Sequence, residues 1–110
     1  MTPLFTLKKN VEFKKVYNRG RSVASKAVVL YSLPNNSDKK KFGFSVSKKM
    51  GKAVVRNKIK RVLKEVCRLN QDWFKDGYDY ILIPRAAILK MNYQQICNEI
   101  NKLSLKVIVK

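Results

Sequence analysis

Positive charge recurs at a fixed spacing along one stretch of the chain. Arg56, Lys60, Lys64 and Arg68 are each separated by four residues, and Glu65 is the only acid between the first and the last of them. Like charges at this spacing repel one another on a helix, whereas solvated helices usually mix the two signs. The pattern therefore favours binding of a polyanion that neutralises the repulsion over a merely exposed basic face.

The same stretch has the periodicity of one amphipathic helix over 51–68. Its apolar residues follow the i, i+4, i+7, i+8, i+11 spacing of a single stripe: Val55, Ile59, Val62, Leu63, Val66 and Leu69. At about 100° per residue, the face opposite this stripe carries Asn57, Lys60, Arg61, Lys64 and Arg68. Arg56 and Lys58 lie at the two edges of that polar face. We expect the stripe to enter the core and the cations to face solvent.

The composition of the whole chain also favours a polyanionic partner. It has 110 residues, which predicts one domain over 1–110, and 45% of them are hydrophobic, enough for one modest core. Lysine and arginine number 25 against 7 acids, for a net charge of +18. Such a charge destabilises a compact state by self-repulsion, and it is understandable if the partner supplies phosphates whose counterions are released on binding.

Several classes of function are disfavoured. The chain has no histidine, and its acids form no recognisable catalytic pair, so we expect no catalytic residue and no metal site on the protein. Cys67 and Cys97 lie near apolar positions and are expected to be small buried side chains rather than zinc ligands. No apolar run approaches the roughly 18 residues of a spanning helix, and no signal-peptide pattern opens the chain.

Turn and periodicity signals predict the order of elements. We expect a helix over 11–19 capped by Asn10 and closed by Gly20, strands over 22–33 and 41–47, the basic helix, a strand over 80–83, a helical turn over 86–90 and a last helix capped by Asn92. The continuous apolar run at 80–83 suits a central strand buried on both faces. These elements predict an α+β fold, a two-layer α/β sandwich in which a small mixed sheet is packed with helices.

The second strand has one unusual face. Phe42 and Phe44 point to one side, while Gly43 and Ser45 point to the other. A sheet face of glycine and serine is either plain exposed strand or leaves room for a ligand close to the backbone. Tyr31 of the preceding strand could line the same surface.

A long ungapped motif then resembles a known family. Gly51-x-Ala53-Val54-x-Arg56-Asn57-x-x-Lys60-Arg61, preceded by Phe44-Ser45-Val46-Ser47-Lys48-Lys49, is similar to the signature of the protein component of bacterial ribonuclease P. The resemblance extends to Asn10-x-x-Phe13-x-x-Val16-Tyr17 with Gly20, and to the strand ending Leu30-Tyr31. Lys58 departs from the arginine that is usual in the family and lacks its planar fork of donors.

The resemblance implies a function. Ribonuclease P is an endoribonuclease that removes the 5′ leader from precursor tRNA. The RNA subunit works as the catalyst with Mg²⁺ ions, and the protein subunit, which binds no cofactor alone, assists. The implied partners are ribonuclease P RNA and precursor tRNA, with no DNA and no membrane, in the cytoplasm. The family fold also implies a left-handed βαβ crossover, against the general rule.

The resemblance also implies two sets of binding residues. Those expected to contact the catalytic RNA are Lys48, Lys49, Lys52, Arg56, Asn57, Lys58, Lys60, Arg61, Lys64 and Arg68. Those expected to line a cleft for the single-stranded leader are Phe13, Tyr17, Val29, Tyr31 and Ser45. Aromatic side chains beside a basic surface stack unpaired bases without demanding a particular sequence, which agrees with such a cleft.

Two other classes of protein share part of the pattern. A ribosomal or other structured-RNA-binding protein with no part in cleavage would have the charge and the helix, but not the full motif. A DNA-binding protein would need a helix face that reads base edges, whereas this face carries mainly long cations suited to phosphates.

The charge predicts how the free protein responds to anions. We expect it to be only marginally folded in dilute low-salt buffer. Added sulfate should raise its melting temperature, because the anion binds the native basic sites and screens repulsion. Thermal melts with and without sulfate check this, and an unchanged midpoint would contradict it.

Overall fold

Within residues 3–109, which the computed structural model describes, five strands form one mixed sheet. The strands are β1 (Phe5–Thr6), β2 (Arg21–Ala24), β3 (Val28–Pro34), β4 (Lys41–Phe44) and β5 (Tyr78–Pro84), in the order β1-β4-β5-β3-β2. The α-helices are α1 (Asn10–Arg19), α2 (Ala53–Leu69) and α3 (Tyr93–Val109), with 3₁₀ helices at Lys48–Met50, Gln71–Trp73 and Ala86–Lys90. The predicted α+β class and mixed sheet are confirmed, while β1 was not predicted.

Strand β5 lies at the centre of the sheet, as its apolar run predicts. It pairs in parallel with β4 and antiparallel with β3. Tyr80 and Leu82 point into the core shared with α2 and α3, and Ile81 points into the core under α1. All three side chains are almost completely buried, so β5 is covered on both faces.

Helices cover the two faces of the sheet unequally. Leu63 of α2 and Ile100 of α3 pack with Leu30 in the main core, which forms the predicted two-layer sandwich. On the other face α1 adds a partial third layer through Val16, which packs with Ile81. Strands β4 and β5 are parallel and are joined through α2, so the predicted βαβ crossover is present. The left-handed sense of this crossover stays a prediction.

The predicted strand over 22–33 is wrong as a single element, because it is a β2–β3 hairpin. The chain turns at Ser25, whose Oγ accepts hydrogen bonds from the backbone N–H groups of Ala27 and Val28, both at 3.2 Å. Beyond the turn, Val23 pairs with Leu30. A serine side chain closes this turn without the glycine or proline that would have marked it in the sequence.

One of the two predicted helix caps is confirmed. At the start of α3, the Asn92 side chain accepts a hydrogen bond from the Gln95 N–H at 2.9 Å, and the Gln95 side chain accepts one from the Asn92 N–H at 2.8 Å. The predicted cap at Asn10 is wrong, because Asn10 is already the first helical residue and Lys9 is the cap. There the Glu12 carboxylate accepts a hydrogen bond from the Lys9 N–H at 3.2 Å, since an acid suits the positive end of a helix.

Gly20 follows α1 as predicted, but for a different physical reason. Its φ of −78° is open to any residue, so it is not a left-handed helix cap. A Cβ on Gly20 would instead lie 2.5 Å from the carbonyl oxygen of Val16 and 2.7 Å from that of Ser32. The absence of a side chain therefore lets the end of α1 approach β3.

We expect Gly20→Ala to lower the free energy of unfolding by about 1–3 kcal/mol, because backbone atoms must move to relieve the overlap. Urea unfolding in sulfate buffer measures the loss. Ser22→Ala, on the exposed edge strand β2, is the matched control and should stay within about 0.5 kcal/mol of the parent chain. Equal stability of the two variants would contradict the packing explanation.

Candidate RNA interface

The outer face of α2 carries a cationic depression. Asn57, Lys60, Arg61 and Lys64 are exposed, and with Val54 they line a concavity of about 520 Å³. The structure thus brings four of the predicted RNA-contacting residues together. Val54, which is 78% exposed, was not predicted as a site residue, although its place in the motif and off the apolar stripe could have indicated it.

The segment before α2 fixes the direction of the helix. The Ser47 side chain accepts a hydrogen bond from the Lys49 N–H at 3.2 Å, and Met50 is buried beneath the 3₁₀ turn. Gly51 follows with φ +137° and ψ −167°, a conformation essentially restricted to glycine, which explains the first residue of the motif. Three exposed cations are thereby placed at the start of α2, namely Lys48, Lys49 and Lys52.

The row of cations at Arg56, Lys60, Lys64 and Arg68 is partly compensated within the helix. The Glu65 carboxylate accepts hydrogen bonds from Arg68 at 2.6 Å (Nε) and 2.5 Å (Nη2). Arg56 is half-buried, and its Nε donates a hydrogen bond to the Gly51 carbonyl oxygen at 3.2 Å. Of the four cations in this row, Lys60 and Lys64 are therefore the exposed ones, and Arg61 beside them is exposed as well.

Lys58 lies on a different flank of α2. It is exposed, but it lines an apolar groove between α2 and the start of α3 rather than the cationic depression. This agrees with its predicted place on the shoulder of the helix. Of the predicted set, Lys58 is thus set apart from the four residues of the depression.

A row of aromatic side chains lies on the opposite face of the sheet. The ring centroids of Phe13 and Tyr17, one turn apart on α1, are separated by 6.4 Å. Tyr17 meets the edge of Tyr31 at a centroid distance of 5.1 Å and an interplanar angle of 81°. All three residues are partly buried and pack against the small core of Leu7, Val16 and Ile81.

The sheet register places Val29 and Ser45 beside this row. Val29 pairs with Ile83, and the Ser45 N–H donates a hydrogen bond to the Leu82 carbonyl oxygen at 3.1 Å just beyond the end of β4. Because side chains alternate along a strand, Val29 shares the face of Tyr31. All five predicted leader-binding residues are partly exposed, and the register brings them to the same region of the molecule.

The predicted opening above Gly43 is wrong. A Cβ on Gly43 would lie 2.7 Å from the Phe13 ring and 3.1 Å from the side chain of Leu7, and Gly43 itself is buried. The glycine therefore makes room for Phe13 of the same chain. The surface that remains for a ligand consists of the outer parts of the rings together with Val29 and Ser45.

Both cysteines lie inside the protein. Burial raises the pKa of the Cys67 thiol well above its usual range, and Cys97 is also buried, so both are packing residues as predicted. Within the part of the chain that the structure describes, no group of three or more metal-ligating side chains is placed to hold an ion. None of the described helices is long and apolar enough to cross a membrane.

Comparison with known proteins agrees with the motif. The family model for Ribonuclease P matches residues 1–107. The ribonuclease P protein component of Clostridium kluyveri is 45% identical over 105 residues, which cover 94% of each chain. The ribonuclease P protein of Staphylococcus aureus superposes with a TM-score of 0.85 at 36% identity, covering 96% of each chain.

A more distant solved structure has the same fold. The ribonuclease P protein of Thermotoga maritima superposes with a TM-score of 0.83 at 27% identity, covering 90% of this chain and 94% of that one. The match of the family model over nearly the whole chain and the agreement in fold lead to one conclusion. The chain belongs to the family of ribonuclease P protein components, the protein part of the endoribonuclease that processes the 5′ ends of tRNAs.

Proposed function

We propose that this chain holds two RNAs at once, ribonuclease P RNA on α2 and the 5′ leader of precursor tRNA on the aromatic row. Membership of the family supports the pair of partners. The proposal depends on one observation: the two surfaces lie on helices that pack against opposite faces of the sheet. Occupation of one surface therefore leaves the other accessible.

The contact with the RNA subunit is mainly electrostatic. Lys60, Arg61 and Lys64 are long exposed cations in one concavity, suited to several phosphates of a folded backbone. Asn57 adds a polar side chain that can donate and accept hydrogen bonds. Arg56 keeps N–H groups beyond the one bonded to Gly51, whereas Arg68 is engaged by Glu65 and contributes less.

The contact with the leader is mainly stacking. Phe13, Tyr17 and Tyr31 offer partly exposed rings in a fixed arrangement, so little side-chain freedom is lost when a base stacks on them. Every base has a π-face, and stacking therefore tolerates different leader sequences. Lys14, exposed on α1 three residues before Tyr17, lies on the flank of the helix next to that ring and would supply charge for the leader phosphates.

Cleavage is then the work of the RNA subunit. Mg²⁺ would be bound by the RNA, and the protein, which lacks histidine, would hold the substrate and reduce repulsion between the two RNAs.

Reconstitution tests this division of labour: purified protein should restore cleavage of precursor tRNA by a ribonuclease P RNA at low Mg²⁺. Tight RNA binding without restored cleavage would instead indicate a structured-RNA-binding protein with no part in the reaction.

Loss of one cation from the depression should weaken docking in a defined way. We expect Arg61→Ala or Lys60→Ala to lower affinity for ribonuclease P RNA and to reduce the slope of log K against log salt by about one phosphate contact. Arg68→Ala should have a smaller effect, since its charge is already paired with Glu65. Binding titrations at several salt concentrations measure both quantities.

Lys39→Ala is the matched control for docking, because the Lys39 ammonium lies over the Phe5 ring at the β1 edge of the sheet. Lys40 is unsuitable, since its ammonium donates hydrogen bonds to the carbonyl oxygens of Gln71 and Phe74 at 2.5 and 2.9 Å. If Lys39→Ala lost as much affinity as Arg61→Ala, bulk charge rather than the α2 face would do the binding.

Removal of a ring should discriminate between precursor and mature tRNA. We expect Phe13→Leu or Tyr17→Leu to retain the apolar packing yet to weaken holoenzyme binding of precursor tRNA about fivefold or more, since stacking is worth about 1–3 kcal/mol per base. Mature tRNA has no leader, so its affinity should not change. Titration of both tRNAs with each holoenzyme measures the difference.

Tyr78→Leu provides the control for the ring variants. Tyr78 is partly buried against the main core on the other face of the sheet, so its replacement should leave both affinities unchanged. Thermal melts of each variant establish that the fold is retained. A parallel loss for precursor and mature tRNA would overturn the assignment of the aromatic row to the leader.

A further inference from the structure

An apolar groove between α2 and the start of α3 has no role in the function proposed above. It encloses about 480 Å³, within the range of about 300–1,000 Å³ that is usual for ligand sites. Val54, Leu89 and Tyr93 line it and are 78%, 50% and 44% exposed. Large apolar side chains grouped in one concavity indicate a binding surface more than scattered exposed ones do.

Cationic surfaces border this groove on both sides. Val54 also lines the depression that holds Lys60 and Arg61. At the other side Met91 is shared with a second concavity, lined by the exposed Lys26 and Lys90. Lys58 lies on the wall of the groove itself. Each basic concavity thus shares a lining residue with the apolar groove, which lies between the two.

This arrangement fits a nucleic acid better than a protein. A second copy of the chain would bring a net charge of +18 against the same cations and would be repelled. An RNA strand instead offers phosphates at regular intervals, with bases that are apolar on their faces, and proteins recognise RNA mainly through unpaired bases stacked on aromatic side chains. Tyr93 supplies such a ring at the wall of the groove.

We propose that the groove receives an unpaired base of ribonuclease P RNA, while the flanking phosphates are bound by the α2 depression on one side and by Lys26 and Lys90 on the other. The inference rests on the proposed docking of α2 onto that RNA. It extends the interface beyond the basic helix, because the loop at Lys26 and the segment 86–93 become part of it. The stacked base adds a contribution to affinity that salt does not screen.

Substitutions that leave the charge unchanged separate this contribution from phosphate binding. We expect Leu89→Ser and Tyr93→Ala to weaken binding of ribonuclease P RNA about fivefold or more at every salt concentration, with the slope of log K against log salt unchanged. Lys90→Ala should instead reduce the slope and lose its effect in high salt. Leu105→Ser, at a residue 57% exposed on α3 outside the groove, is the matched control and should bind as the parent chain does.

Comparison with Arg61→Ala distinguishes failure of the groove assignment from failure of the proposed docking of α2. If Arg61→Ala weakens binding while Leu89→Ser and Tyr93→Ala do not, the groove assignment is overturned and docking of α2 stands. If none of the three weakens binding, both proposals are overturned. Sedimentation velocity of the free protein adds an independent measurement. A dimer that Leu89→Ser dissociates would show that the groove binds a second copy of the chain, and it would overturn the assignment of the groove to an unpaired base.

Discussion

Burial of β5 on both of its faces is the constraint on which the rest of the structure depends. Tyr80 and Leu82 belong to the core beneath α2 and α3, while Ile81 belongs to the smaller core beneath α1. A strand with apolar side chains on both faces needs a cover on each side, because exposure of either set would cost its transfer free energy. The protein therefore has two outward helical surfaces, one on each side of the sheet.

The high charge is accommodated by keeping most of the described cations exposed to solvent. Asp76 pairs with Lys40 at 3.4 Å and Glu99 pairs with Lys102 at 3.7 Å, and each pair joins a largely buried side chain to an exposed one. The Lys40 ammonium also donates hydrogen bonds to two backbone carbonyl groups in the segment after α2, so its charge is satisfied within the protein. Repulsion among the remaining cations should persist in the free protein, so we expect bound anions to stabilise its fold.

The residues of the aromatic row, which we propose as contacts for the leader, also pack within the protein. The inner side of the Phe13 ring rests on Gly43, and Tyr17 meets the edge of Tyr31. Contacts of this kind hold the rings before any ligand arrives, which lowers the entropy lost on binding. For the same reason, truncation to alanine would remove packing together with stacking, whereas leucine removes the ring and keeps much of the apolar contact.

Sequence alone determined the features that depend on residues close together in the chain. The period of 3.6 residues places Ile59, Leu63 and Val66 on the buried side of α2 and the cations on the other, and a run of four apolar residues marks β5 as central. The resemblance of the motif to a known family implied the RNA partners, which periodicity alone could not name. Tertiary structure decided that Phe13 fills the space over Gly43 and that the 86–93 segment meets α2 to form a groove. Such contacts join residues some 30 positions apart, and they depend on strand register and helix docking, which local periodicity does not encode.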